Sequence, residues 1–262
     1  MKRICHILRF SQGERQMKSM LIASALLAPG LVFGSETLPA AGDLAFTTLD
    51  AGGEAFALVS YVDLAAGSAF YVTDNEWSGL VGAGGGFNTG EGQLAWTLTT
   101  DLAAGSVVYF SNVNSTTGVA VTEGSVSRSG RFEIAGSGES LTLFADDNGS
   151  PLPIGAIGYG GDFAAGLSGA GLDNAATTLA GDVYFAEYTG PRAGAAQMTD
   201  YRADVADAAN WLVVAPADAM DVLPNLTAFD TVAAPVPEPE SYAMMLAGLG
   251  LVSVIARRRL AR

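Results

Sequence analysis

An all-β body is what this sequence predicts, in the form of an immunoglobulin-like β-sandwich with an open β-barrel as the alternative. Three observations carry the prediction. Short apolar, β-branched and aromatic runs alternate with stretches rich in Gly, Asn and Asp, and the chain holds 33 glycines, the residue that supplies the positive φ of tight reversals. Asn148-Gly149 stands between two apolar runs, "SLTLFADD" and "SPLPIGAIGYG", the strongest short-range hairpin signal. Helical periodicity is almost missing, and only "TDYRADVADAANW" (199–211) offers a short helix, with an extended loop as its equal alternative.

Along the chain, Lys2, Arg3, Arg9, Arg15 and Lys18 precede "MLIASALLAPGLVFG" (Met20–Gly34). A charged start, an apolar stretch and small residues near its end form a secretory signal, here residues 1–34, removed after Gly34. Pro29 and Gly30 interrupt a run already short of the roughly 20 residues that span a bilayer. Met17-Lys18 alone would open a compact signal, which makes 1–16 an over-long start.

Residues 35–214 then form the β body. "DLAAGS" occurs twice in it, at Asp63–Ser68 and Asp101–Ser106, each time between strand-like runs. The repeat reads as a hairpin-type bend used twice, in which Asp bonds the backbone ahead of it and Gly67 or Gly105 takes positive φ. As a catalytic loop it would offer one carboxylate and one hydroxyl without a base. "GDVYFAEY" (181–188) alternates like a half-buried strand. Residues 215–236, rich in Ala, Pro and Asp, read as a linker.

Composition narrows the chemistry. Between Ser35 and Pro239 there are 25 acidic residues and four basic ones (Arg128, Arg131, Arg192 and Arg202), a net charge of −21 with no lysine. That charge excludes a phosphate-backbone footprint, hence nucleic acid as a partner, and it repels anionic lipid headgroups. Cys5 and His6, the sole cysteine and histidine, fall in the signal. The mature chain therefore has no disulfide, no Ser-His or Cys-His nucleophile pair, and no imidazole or thiolate for zinc. Carboxylate chemistry and hard cations remain, and the expectation is a protein that is not an enzyme and needs no cofactor.

Two clusters are candidate sites. Glu76, Trp77, Glu91 and Trp96 surround the glycine-rich "GAGGGFNTGEG". Indole faces stack on pyranose rings and carboxylates bond their hydroxyls, so this loop is a candidate glycan-binding or glycan-cleaving site. The blander reading makes Trp77 and Trp96 core residues and the acids solvated loop ends. Asp146, Asp147 and Asn148 form a candidate calcium loop, although "DDNG" lacks the alternating acids and terminal Glu of an EF-hand and a plain hairpin explains it more simply.

The C-terminal end is more specific. "VPEPESYAMMLAGLGLVSVIARRRLAR" places Pro237-Glu238-Pro239 before an apolar run (242–256) and a basic cluster that includes Arg257, Arg258 and Arg259. A basic end stays cytoplasmic and acts as a stop-transfer signal, leaving the body outside. In these three parts and their order, residues 237–262 resemble the PEP-CTERM sorting signal. The resemblance implies passage through the secretory translocon, a transient inner-membrane intermediate held by a short hydrophobic helix, and processing near Pro-Glu-Pro by exosortase, a membrane-embedded cysteine protease of transpeptidase type. It further implies a cell-surface or matrix destination associated with exopolysaccharide. A plain tail anchor is the alternative.

A second pattern covers much of 42–214. "GDLAF" (42–46), "YVTDNEW" (71–77), "FNTGEGQLAW" (87–96) and "DAANW" (207–211) resemble secreted bacterial β domains laid out like the lamin-tail module. That resemblance implies a sandwich used for attachment or scaffolding and no known reaction. The expected protein is thus an exported structural or adhesion protein, with a carbohydrate-binding or carbohydrate-cleaving module and a calcium-stabilised adhesin as the alternatives.

Overall fold

Short apolar runs, some alternating and some buried throughout as in "AFALVS" (55–60), build twelve strands among the described residues. They are β1 (Leu44–Asp50), β2 (Ala55–Ser60), β3 (Ala69–Thr73), β4 (Gly92–Thr97), β5 (Val107–Ser111) and β6 (Ala120–Val121), followed by β7 (Ser125–Gly130), β8 (Glu139–Asp147), β9 (Ser150–Tyr159), β10 (Ala176–Leu179), β11 (Phe185–Tyr188) and β12 (Trp211–Val214). The structure, a computed structural model, describes residues 38–77, 86–160, 170–172, 174–216, 222–232, 244 and 246–249. The signal at 1–34, Pro237-Glu238-Pro239 and Arg257–Arg259 lie outside the described residues.

The strands form two six-stranded sheets, ordered β12-β11-β1-β2-β5-β6 and β10-β9-β8-β3-β4-β7. They do not close on each other, so the architecture is the sandwich and not the barrel. Pairing is antiparallel except between β9 and β10. Phe46, Phe56, Leu58 and Phe110 from the first sheet meet Phe70, Val72, Leu94, Trp96, Leu141 and Leu143 from the second in one buried core. Phe56 stacks on Phe110 with centroids 4.6 Å apart, and Trp96 meets Phe110 edge-on at 5.3 Å. Burying each large side chain contributes about 1.5–3 kcal/mol, so this seam is the main cohesive term.

Asn148-Gly149 makes the expected two-residue hairpin. Both residues have positive φ, 54° and 88°, and Asp147 pairs with Ser150 across the turn. Pro153 is tolerated in β9 because the register shifts there, at Leu143/Phe144 of β8. In "TDYRADVADAANW" the structure forms a short α-helix, α1 (Tyr201–Ala206), between two 3₁₀ turns. Tyr201 and Val205, four apart, bury one face. The Val205 carbonyl accepts from Thr177 Oγ1 and Trp211 Nε1, which satisfies an orphan group at the helix end.

The repeated "DLAAGS" is corrected from a hairpin bend to a corner between sheets. The first copy carries the chain from β2 in the first sheet to β3 in the second, and the second copy carries it back from β4 to β5. The corners lie side by side and clamp each other reciprocally. Leu64 and Leu102 exchange two backbone hydrogen bonds of 2.8 Å. Asp63 Oδ1 accepts from the Ala104 N–H and Asp101 Oδ1 from the Ala66 N–H, both at 2.8 Å. Each Asp therefore caps the other copy and not its own backbone. Gly67 N–H donates to Leu98 O and Gly105 N–H to Ser60 O, so the pattern repeats with an offset of 38 residues, a local two-fold. Identical hydrogen-bonding demands on both sides account for the identical sequence.

The expected linker at 215–236 is also corrected in part. Residues 222–232 are packed on the body as a strap. Phe229 is 3% exposed, set among Tyr61, Tyr188 and Tyr201. Its N–H donates to Gly105 O at 2.8 Å. Tyr201 Oη donates to Asp230 O, and the Val232 N–H donates to Ala195 O. A linker-like composition hides one anchoring aromatic and a ladder of backbone bonds.

Candidate functional site

The candidate loop at Asp74–Trp96 is built from the base upward. At the end of β3, Thr73 Oγ1 donates to Gly92 O at 2.7 Å and Asn75 Nδ2 donates to the same oxygen at 3.0 Å. Asp74 accepts from the Gly92 N–H at 2.8 Å and the Glu133 N–H at 3.0 Å. Asn75 Oδ1 takes the Glu91 N–H. Short polar side chains thus pin the end of β3 to the start of β4. Further out, Trp77 and Phe87 form an isolated bridge, and the Asn88 N–H donates to Glu76 O. Residues 78–85 lie outside the described set.

The four predicted glycan-site residues divide. Trp96 is fully buried between Phe70 and Phe110, with its Nε1–H donated to Glu123 O at 2.8 Å. It offers no open face, so its assignment to a ligand platform is corrected to a core role, because its parity on β4 points it inward. Trp77 is buried on a separate small cluster with Ala156, Ala170 and Leu172, flanked by Phe87. The two indoles belong to different clusters and do not share a ligand surface. Glu76 and Glu91 are exposed loop residues. Partial burial raises the Glu91 carboxyl, with Asp74 and Glu76 adding repulsion.

Carboxylates at this end of the sandwich are tied to backbone amides. Glu54 Oε2 accepts from the Ile134 N–H at 2.9 Å, and Glu139 accepts from Ser140 N–H at 2.7 Å and Ala135 N–H at 3.2 Å. Burial raises the pKa of Asp74 and of Glu54 and pushes that of Glu139 up to about 7. These groups close turns that both sheets need.

In the candidate calcium loop, Asp146 Oδ1 accepts from the Gly149 N–H, and Asp147 Oδ1 accepts from Asn148 Nδ2 at 2.8 Å. These bonds are what a hairpin requires. Among the described residues no group of three His, Cys, Asp or Glu side chains is placed to hold a metal ion.

Two features escaped the sequence reading. One is a clasp: Arg192, buried, lies 4.9 Å from the Phe229 ring, pairs with Glu187 at 3.4 Å and donates to Thr227 O at 3.0 Å. Glu187 in turn accepts the Asn225 N–H at 2.7 Å, so a buried ion pair is completed by the strap. The only local signal is an isolated Arg in a body that carries four basic residues between 35 and 239. The other is a surface groove of about 360 Å³ over β3, β4 and β8 that includes Tyr71, Phe87, Phe144 and Gln93. Tyr71 and Phe144 are register partners across β3 and β8, an adjacency that spacing along the chain does not reveal.

Beyond the strap, Val232 is followed within five residues by Pro237, an extended reach of at most about 18 Å. A family model described as the PEP-CTERM protein-sorting motif matches residues 235–259. The chain carries a PEP-CTERM sorting motif. The motif implies export, processing by exosortase at the membrane and an extracellular destination. Residues 246–249 of its apolar tail are helical, and among the described residues no helix is long and apolar enough to cross a membrane. No curated protein and no solved structure matches the chain, so the lamin-tail-like resemblance stands on the sequence pattern alone.

Proposed function

We propose that this PEP-CTERM protein is a non-enzymatic structural or adhesion component of the cell surface or extracellular matrix, delivered as a folded sandwich. The observation that carries the reading is the short distance between body and motif: Val232 is still bonded to the body through the Ala195 carbonyl, and the motif match starts at 235. Processing near Pro237-Glu238-Pro239 then leaves the strap, bonded to the body as far as Val232, within the mature domain. The strap, the interlocked corners and the tied carboxylates all favour a rigid scaffold. A mature chain without histidine, cysteine or lysine also lacks imidazole, thiol and amine nucleophiles and bases, and no cofactor enters the reading. High negative charge keeps such a domain soluble and spaced among polymers.

The test replaces Pro237-Glu238-Pro239 by alanines in the native host and follows size and location. The reading expects unprocessed protein retained in the inner membrane. Normal processing and release of that variant would refute it.

A further inference from the structure

Four aromatic rings run across the outer face of the second sheet, away from the core. Trp77 meets Phe87 edge-on at 5.0 Å, Phe87 meets Phe144 at 4.9 Å, and Phe144 stacks on Tyr71 at 5.2 Å. The row passes from burial to exposure: Trp77 and Phe144 are buried, whereas Phe87 and Tyr71 are half-buried. At its exposed end lies the groove of about 360 Å³, bounded by Tyr71, Phe87 and Phe144, by Gln93 on β4, and by Asp146 and Pro151 at the β8–β9 hairpin. That volume is at the lower end of the range for small-ligand sites.

The chemistry of the lining selects the occupant. Tyr71 and Phe87 present ring surface that suits the C–H faces of a pyranose, while the Gln93 amide both donates and accepts and Asp146 accepts. The Gly149 N–H fixes the Asp146 carboxylate at the rim through Oδ1. Among the described residues no cation lines the groove, and a body of net charge −21 repels polyanions. A peptide fits poorly, because β3, β4 and β8 are interior strands with no free ladder to pair its backbone. A second copy fits poorly too, since a few half-buried rings fall far short of the roughly 800 Å² per partner of a stable interface.

We propose that this groove binds a segment of uncharged polysaccharide, with Tyr71 and Phe87 stacking on sugar rings and Gln93 and Asp146 bonding hydroxyls. The proposal deepens the surface-protein reading and rests on it for access to glycan. It moves the candidate site from the Trp77–Trp96 pair to the neighbouring sheet face.

The exported protein, purified from its host, is run in native gels containing dextran, hydroxyethyl cellulose, galactomannan or the polyanion alginate. Retardation by at least one uncharged polymer and none by alginate is expected. Tyr71→Ala and Gln93→Ala should each weaken it at least about tenfold, roughly the effect of one lost stacking or hydrogen-bonding contact. Gln93 is a partly exposed side chain on the sheet's outer face, so its variant should keep the thermal midpoint and separate lost binding from lost folding. The proposal is overturned if no uncharged polymer retards the protein, if both variants bind like the parent, if alginate retards it equally, or if Tyr71→Ala instead abolishes a concentration-dependent dimer. A processed, surface-located protein that fails to bind refutes this proposal alone. A binding protein whose sorting ignores Pro237–Pro239 refutes only the sorting reading.

Discussion

Replacing Phe229 by alanine tests whether the strap belongs to the fold. The ring is 3% exposed and contacts Tyr61, Tyr188, Tyr201 and the Arg192 guanidinium. Core Phe→Ala changes cost about 3–5 kcal/mol. The strap lies near the end of the body and can close partly into the gap, which favours the lower figure, about 3 kcal/mol. For a domain of this size each kcal/mol moves the midpoint by about 2–4 °C, so the melt should drop by about 6–12 °C. Loss of the strap would also strip Glu187 and Arg192 of their Asn225 and Thr227 partners, which steepens the effect because a buried pair is left under-bonded. Thermal and urea melts of the exported protein read the change, with Leu223→Ala, at an 88% exposed position, as the neutral control. A Phe229→Ala midpoint within about 1 °C of the parent would refute the reasoning and return residues 222–232 to the status of a tether.

Further predictions concern the corners, acidity and calcium. Gly67→Ala and Gly105→Ala alter the same place in the same motif, yet a Cβ at Gly105 would meet Phe229 O at 2.2 Å while nothing lies within 4 Å of one at Gly67. Melts should therefore show about 1–2 kcal/mol lost at Gly67 from its positive φ and a larger loss at Gly105; equal losses would refute the asymmetry. Glu139 is pushed up to about 7 by burial from an ordinary value of 4.5, so the folded chain holds this proton more tightly than the unfolded one. Its stabilisation is full below about pH 4.5 and is lost as pH rises through about 7, a change of about 2 kcal/mol once its partial exposure is allowed for. Melts from pH 4.5 to 8 should show that fall, and Glu139→Gln should flatten it; a slope unchanged in the variant would contradict the assignment. Millimolar calcium against chelator should leave the midpoint unmoved, because Asp146 and Asp147 already serve the hairpin, and a clear rise would reinstate a calcium site.

What was legible in the sequence is what depends on neighbouring residues. Asn148-Gly149 specifies its turn locally, through two positive φ values, and the structure forms that hairpin. The "DLAAGS" corners were recognised as bends, but a bend does not state which sheet the next strand joins, and the Asp partners lie 35 and 41 residues away. The strap is not legible for a related reason: Ala, Pro and Asp set a linker's composition, and Phe229 acts only through residues distant in sequence. Trp96 looked like part of a ligand platform beside its glycine-rich loop, yet its side of β4 faces the core. The groove at Tyr71 depends on β3 meeting β8, a pairing across some 70 positions of chain.

Intact-mass measurement of the protein recovered from the cell surface or medium of its native host addresses the central claim most directly. A folded body delivered by a removable C-terminal signal predicts a chain that ends near Pro237-Glu238-Pro239 and lacks Arg257, Arg258 and Arg259. A fully surface-located protein that still carries those arginines would contradict the account.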